Sequence, residues 1–219
     1  MKNIFLFALC LVLNNSINAQ DSSLGNWMIY IGNKQLNEDW NIHHEIQYRN
    51  YNAAGDLEQL LLRTGVGYNL TEGNNNILLG YGYINSQNYV VNKIFMDPAA
   101  SKLTVKEHRV YQQFVTKQKL GPLSVQHRYR FEERFIEDDL KFRFRYFLGI
   151  NLPLKKYFYL SAYNELFIHS KEAVFDRNRL YAGLGYKINK KMRLEFGYMN
   201  QFFENRGRDQ INILCFYNF

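Results

Sequence analysis

Only three prolines (98, 122 and 153) and two cysteines (10 and 215) occur in 219 residues. So few cysteines exclude a disulfide-stapled fold. Long apolar runs are also missing. The longest, residues 4–13, lies at the extreme N-terminus and is half the ~20 residues a helix needs to cross a bilayer, which excludes a helical membrane bundle. Helical periodicity is nearly absent from Trp27 onward. Disorder is excluded by what is abundant instead: 17 Phe, 17 Tyr and 2 Trp, or 16% of the chain.

Residues 1–19 have the form of an export signal. Lys2 supplies the positive start, residues 4–13 the apolar core, and the polar stretch 14–18 leads to Ala19, a small residue suited to cleavage before Gln20. Cys10 is a poor lipoprotein site, because the apolar run continues past it. Cleavage removes one of the 27 basic residues and none of the 20 acidic ones, so the mature domain, 20–219, stays cationic and keeps Cys215 alone.

The mature chain alternates with period two. In the stretch 140–148, Lys141, Arg143 and Arg145 alternate with Phe142, Phe144 and Tyr146. A strand sends these to opposite faces, one cationic and one aromatic; a helix would scatter them. Trp40, Ile42, Ile46 and Tyr48 likewise oppose His43, Glu45, Gln47 and Arg49. Val125, Tyr129, Phe131 and Phe135 oppose Arg128, Arg130, Glu132 and Arg134, and similar segments recur to the end of the chain. Segment 105–118 is less regular, with Gln112 among the apolar positions. Short turns (71–74, 119–122, 153–156, 189–191) alternate with longer links (50–57, 89–105, 136–139, 170–176, 204–210), and every proline falls in a connection.

A soluble sandwich also alternates, so three further features decide the expectation. The strands run to about nine to thirteen alternating residues, longer than the usual five or six and enough for the ~9–11 that cross a bilayer. Short turns on one side and longer links on the other are the asymmetry of outer-membrane barrels. The chain ends as an alternating strand with Tyr217 and Phe219, an ending that resembles the C-terminal assembly signal of such barrels. The expected fold is therefore all-β, an up-and-down antiparallel transmembrane barrel in the bacterial outer membrane. Eleven strand segments are visible. Single-chain bacterial barrels normally have an even number, so the expectation is ten to twelve, with segment 26–33 outside the wall or a strand hidden in 89–105.

Eleven of the 13 arginines (49, 63, 109, 128, 130, 134, 143, 145, 177, 179 and 193) oppose the apolar face. Facing lipid at mid-depth each would cost about 2–4 kcal/mol, so they are expected in the lumen with Lys141. Glu45, Glu107, Glu132, Glu165 and Glu195 are the acids expected beside them. The candidate basic cluster is Arg128, Arg130, Arg134, Arg143, Arg145, Arg177 and Arg179, with Glu132, Glu165 and Glu195 as its acidic partners. Such a set either braces the barrel through ion pairs or recognises small anions through the forks of Arg128, Arg130, Arg143 and Arg145.

Catalytic chemistry is hard to find. The histidines (43, 44, 108, 127, 169) have no metal-site spacing, and His43 and His44 are expected on opposite faces of one strand. Ser86, Ser124 and Ser161 lack a nucleophile-elbow context. Gly80-Tyr81-Gly82 and Gly183-Leu184-Gly185 lie within strands, where glycine relieves crowding; they are not phosphate loops. No cofactor, metal or nucleic-acid partner is expected. The expected partners are outer-membrane lipid and, during biogenesis, the barrel-assembly machinery. Two alternatives stay open: a lipid-modifying or proteolytic barrel enzyme, and a soluble lipocalin-like binder with about eight strands and an apolar interior.

Several motifs carry a resemblance: Arg128-Tyr129-Arg130-Phe131-Glu132-Glu133-Arg134, Arg143-Phe144-Arg145, Asn164-Glu165-Leu166-Phe167, the stretch 179–185, and Phe196-Gly197-Tyr198. Over nearly the whole mature chain the sequence resembles an uncharacterised family of Gram-negative exported proteins, domain of unknown function 2490. The resemblance implies an outer-membrane barrel and transfers no functional residue.

Overall fold

A computed structural model describes residues 24–71, 74–90, 101–170 and 174–219. The expected export signal, with its expected cleavage point at Ala19, lies outside the described residues, as does the middle of the link 89–105. Eleven strands follow one another: β1 (Gly25–Gln35), β2 (Trp40–Asn50), β3 (Leu57–Thr71), β4 (Asn75–Tyr89), β5 (Lys102–Leu120), β6 (Leu123–Ile136), β7 (Asp139–Pro153), β8 (Phe158–His169), β9 (Phe175–Lys187), β10 (Met192–Phe202) and β11 (Gly207–Asn218). Each pairs with its sequence neighbours, and β1 closes on β11.

The eleven segments are thus eleven wall strands, and the expected evenness is corrected. Segment 26–33 lies inside the wall. With an odd number of up-and-down strands the first and last run the same way, so the seam from Gly25↔Gln210 to Asn33↔Asn218 is parallel; every other pairing is antiparallel. Two links also differ from expectation. β5 starts at Lys102, which makes it the longest strand at 19 residues and shortens the link before it. The link at 136–139 tightens to the two residues Glu137 and Asp138, with Glu137 at φ 52 supplying the left-handed turn.

The connections define two ends. At one, the short-turn rim, are the turns 36–39, 121–122, 154–157 and 188–191, the facing ends of β3 and β4, and the C-terminus. At the other, the loop rim, are the connections 51–56, 137–138 and 203–206, with the facing ends of β4 and β5 and of β8 and β9.

The two faces of the wall differ sharply. Large apolar side chains point outward on every strand, among them Met28, Ile46, Leu62, Leu79, Phe131, Phe144, Leu160, Leu184, Phe196 and Ile213; Leu79 and Phe196 are each 60% exposed. Arginine and glutamate point inward, with Glu132 at 0% and Arg130 at 2%. Inward glycines make room for large rings. A Cβ on Gly80 would sit 2.2 Å from Tyr111 Cζ, and one on Gly185 would sit 2.1 Å from Tyr159 Cζ, so both strands need glycine at those points.

The arginine-rich lumen expected from the sequence is present, and beside it lies an apolar part. Trp27, Ile29, Tyr181, Met199 and Leu214 form a buried apolar cluster inside the barrel, with Ile31, Tyr163 and Phe216 packed on it. The reason is visible in β1, where Trp27, Met28, Ile29, Tyr30 and Ile31 are apolar on both faces. The lumen is therefore divided between an apolar cluster around the seam and a charged lattice on β2 to β9.

Candidate functional site: the arginine–glutamate lattice of the lumen

Strand register sets which charges meet. Glu45 lies directly opposite Arg63, Glu132 opposite Arg143, and Glu165 opposite Arg179. Register also places like charges opposite each other, Arg109 with Arg134 and Arg130 with Arg145, an arrangement that is unfavourable unless an acid intervenes. Glu107 does so for the first pair, accepting from Arg134 Nε at 2.6 Å and from Arg109 Nη2 at 2.9 Å. For the second pair, Arg145 turns away, donating to Glu132 at 2.7 Å and to Glu165 from Nε at 3.1 Å. Arg130 donates instead to Gln113 at 2.9 Å and lies over the Tyr111 ring at 4.5 Å.

Glu132 is the hub. Arg143 Nε donates to it at 2.9 Å, Arg145 Nη1 reaches it at 2.7 Å, and Arg130 and Arg109 stand at 3.7 and 3.9 Å. Arg145 links this hub to Glu165, which also accepts from Arg128 at 2.7 Å and stands 3.6 Å from Arg179. One aromatic ring fills the space between the cations: Arg179, Arg145, Arg143 and Arg177 lie 4.5, 4.6, 5.4 and 5.9 Å from the centre of Phe167. Fully buried carboxylates of this kind require their guanidinium partners, because an isolated charge in such a place is very costly.

The structure gathers Arg128, Arg130, Arg134, Arg143, Arg145, Arg177 and Arg179 with Glu132 and Glu165. Glu195 is set apart. Its nearest partners are the hydroxyls of Tyr159 at 2.7 Å and Tyr181 at 3.5 Å, with Arg193 at 3.9 Å. Tyr217 and Phe219 pack edge-to-face at 4.6 Å, and the Phe219 N–H donates to the Asn33 carbonyl, tying the chain end to β1.

Some participants escaped sequence reasoning. Asp176 and Glu58 are the extra residues at register shifts in β8/β9 and β2/β3. A shift of this type re-aims a side chain. Asp176 reaches Arg177 at 3.0 Å, His169 at 3.2 Å and Arg143 at 3.3 Å, while Glu58 holds Arg208. Strict alternation hides both. Neutral acceptors were missed too: Gln59 serves Arg49 at 2.7 Å and Gln201 serves Arg179 at 2.8 Å.

On the outward face His44, His108 and His127 each pair with a tyrosine hydroxyl, from Tyr30, Tyr81 and Tyr146. His43 turns inward to Asn33, so the adjacent histidines do take opposite faces. Among the described residues no group of three His, Cys, Asp or Glu side chains is placed to hold a metal.

Residues 24–212, which include every member of the lattice, match the family model described as protein of unknown function (DUF2490). The chain belongs to that family. Among its relatives is an uncharacterized protein of Methylorubrum extorquens, 30% identical over 173 residues that cover 72% of this chain and 69% of the relative. This DUF2490 protein is thus a β-barrel with the charged lattice inside the matched region.

Proposed function

We propose that this DUF2490 protein is exported, is cleaved near Ala19, and is a non-enzymatic outer-membrane barrel whose lumen is closed by its own ion pairs. The observation that carries this reading is the inverted polarity of the wall, with exposed Phe, Leu, Ile and Tyr outside and buried arginine and glutamate inside. In water such a surface would be a very large apolar patch. In a bilayer it is the lipid-facing belt. Turning it over would put each arginine against acyl chains at about 2–4 kcal/mol apiece. Paired rings at the short-turn rim, Trp40 with Tyr68 at 4.9 Å and Phe158 with Tyr186 at 5.0 Å, suit the interfacial girdle.

The two tryptophans provide the test. Trp27 faces the lumen at 2% exposure and Trp40 faces outward at 44%. In vesicles with brominated acyl chains, the Trp27→Phe variant, which keeps Trp40, is expected to be strongly quenched, and the Trp40→Phe variant only weakly. Equal quenching, or a mature protein that stays in aqueous solution without detergent, overturns the reading.

A second reading, a narrow anion-preferring conduit, is favoured by one observation: Arg49 donates its hydrogen bonds to the oxygens of Gln47 and Gln59, and Arg130 donates to Gln113 with Glu132 farther off at 3.7 Å, so neutral acceptors take the hydrogen bonds of both cations. It predicts anion-selective conductance that Arg143→Ala with Arg145→Ala weakens. A silent bilayer recording, or selectivity unchanged by the double variant, removes this reading and leaves the closed barrel.

A further inference from the structure

The outward face at the short-turn rim carries a shallow groove of about 700 Å³ lined by Pro153, Leu154, Lys155, Phe158 and Leu184. Its walls are apolar apart from the lysine at its lip. Lys155 and Lys156 are exposed in the 154–157 turn, and Lys190 and Lys191 are exposed in the 188–191 turn. The two turns are neighbours, since β8 pairs with β9 and the Lys187 N–H donates to the Tyr157 carbonyl at 2.9 Å. No Asp or Glu occurs in residues 151–161 or 184–194, while Glu38 and Asp39 lie in the turn between β1 and β2 and Glu72 falls in the sequence link between β3 and β4. Cation density and an apolar groove therefore coincide on one sector of the rim. Tyr157 and Phe158, both packed on Tyr186, stand beside it at headgroup depth.

We infer that this sector binds an anionic glycerophospholipid, its phosphate held by Lys155 with the neighbouring lysines and an acyl chain laid between Leu154, Phe158 and Leu184. The inference rests on the membrane reading above. In an outer-membrane barrel the short turns face the periplasm, so the ligand comes from the inner leaflet. Basic residues at a membrane surface attract anionic headgroups with an additive gain per lysine, and an apolar groove adds chain contact that bulk lipid lacks.

Native mass spectrometry of the folded, full mature barrel, incubated with phosphatidylglycerol or with phosphatidylcholine of the same chain length, tests this. The expected result is preferential retention of phosphatidylglycerol. That preference should fall by about tenfold or more when Lys155, Lys156, Lys190 and Lys191 are changed to Gln. Leu184→Trp, which fills the groove, is expected to reduce retention without altering charge, and Lys106→Gln, on the outward face of β5, is expected to change nothing. Equal retention of both lipids, a preference that survives the four substitutions, or preferential capture of lipid A overturns the inference. Insertion into neutral phosphatidylcholine vesicles, scored by heat-modifiable gel migration, is measured on the same samples. Failure there refutes the membrane reading instead.

Discussion

Glu132→Gln is the most informative single change in the lumen. The side chain is fully buried, with Arg143 and Arg145 hydrogen-bonded to its two oxygens and Arg130 and Arg109 within 4 Å. Glutamine keeps the shape but removes the charge, and offers an NH₂ group toward guanidinium donors. Arg145 retains Glu165 and Arg143 retains Asp176, so neither is wholly abandoned. Even so, breaking a buried pair from one side typically costs about 3–5 kcal/mol. Glu195→Gln is the natural comparison. That carboxylate is also buried, but its close partners are two tyrosine hydroxyls and its arginine stands at 3.9 Å, so a loss of about 1–2 kcal/mol is expected. Both values are measured by urea unfolding of the refolded barrel in vesicles, followed by the folded band on cold SDS gels. A Glu132→Gln barrel as stable as wild type, or no less stable than Glu195→Gln, refutes the view that charge pairing across the lumen holds the wall together.

Two further perturbations separate packing from charge. Gly80→Ala drives a methyl group into the Tyr111 ring and is expected to destabilise by about 1–3 kcal/mol. Gly82→Ala, whose nearest neighbour is the flexible Arg63 Cγ at 3.2 Å, should lose clearly less in the same unfolding assay. At the loop rim, burial pushes the Asp56 carboxyl up, but hydrogen bonds from Lys102 and Tyr89 and the lysine's charge outweigh this and hold it below its usual range. Its folded value lies under its unfolded one, so its stabilisation is complete above about pH 4 and disappears as pH falls through the depressed value. Asp56→Asn should therefore lose less than about 1 kcal/mol at pH 7 and a smaller amount as the pH is lowered, read from paired urea midpoints.

How much of the site was legible depended on whether alternation held. Arg143 and Arg145 announce their face because Phe142, Phe144 and Tyr146 separate them, and Glu132 sits in phase with Arg130 and Arg134. Asp176 stands next to Arg177, out of phase, and joins the lattice only because a register shift in the β8/β9 pairing spends one residue of β9. Glu195 illustrates the reverse: in phase, inward and buried, yet placed by the stagger of the strands among tyrosines instead of arginines. The face of each strand follows from period two; which inward residues meet across the lumen depends on stagger, which no single strand records.

Local chemistry was enough to specify strands, their polarity and the turns between them, because a pleated strand sorts side chains to two faces wherever it sits. Closure was another matter. That β1 joins the wall, that an odd count forces a parallel seam, and that an apolar cluster fills the lumen beside that seam are consequences of where the last strand meets the first. Those residues are far apart in the chain, and only three-dimensional packing brings Trp27, Tyr181 and Leu214 into one cluster.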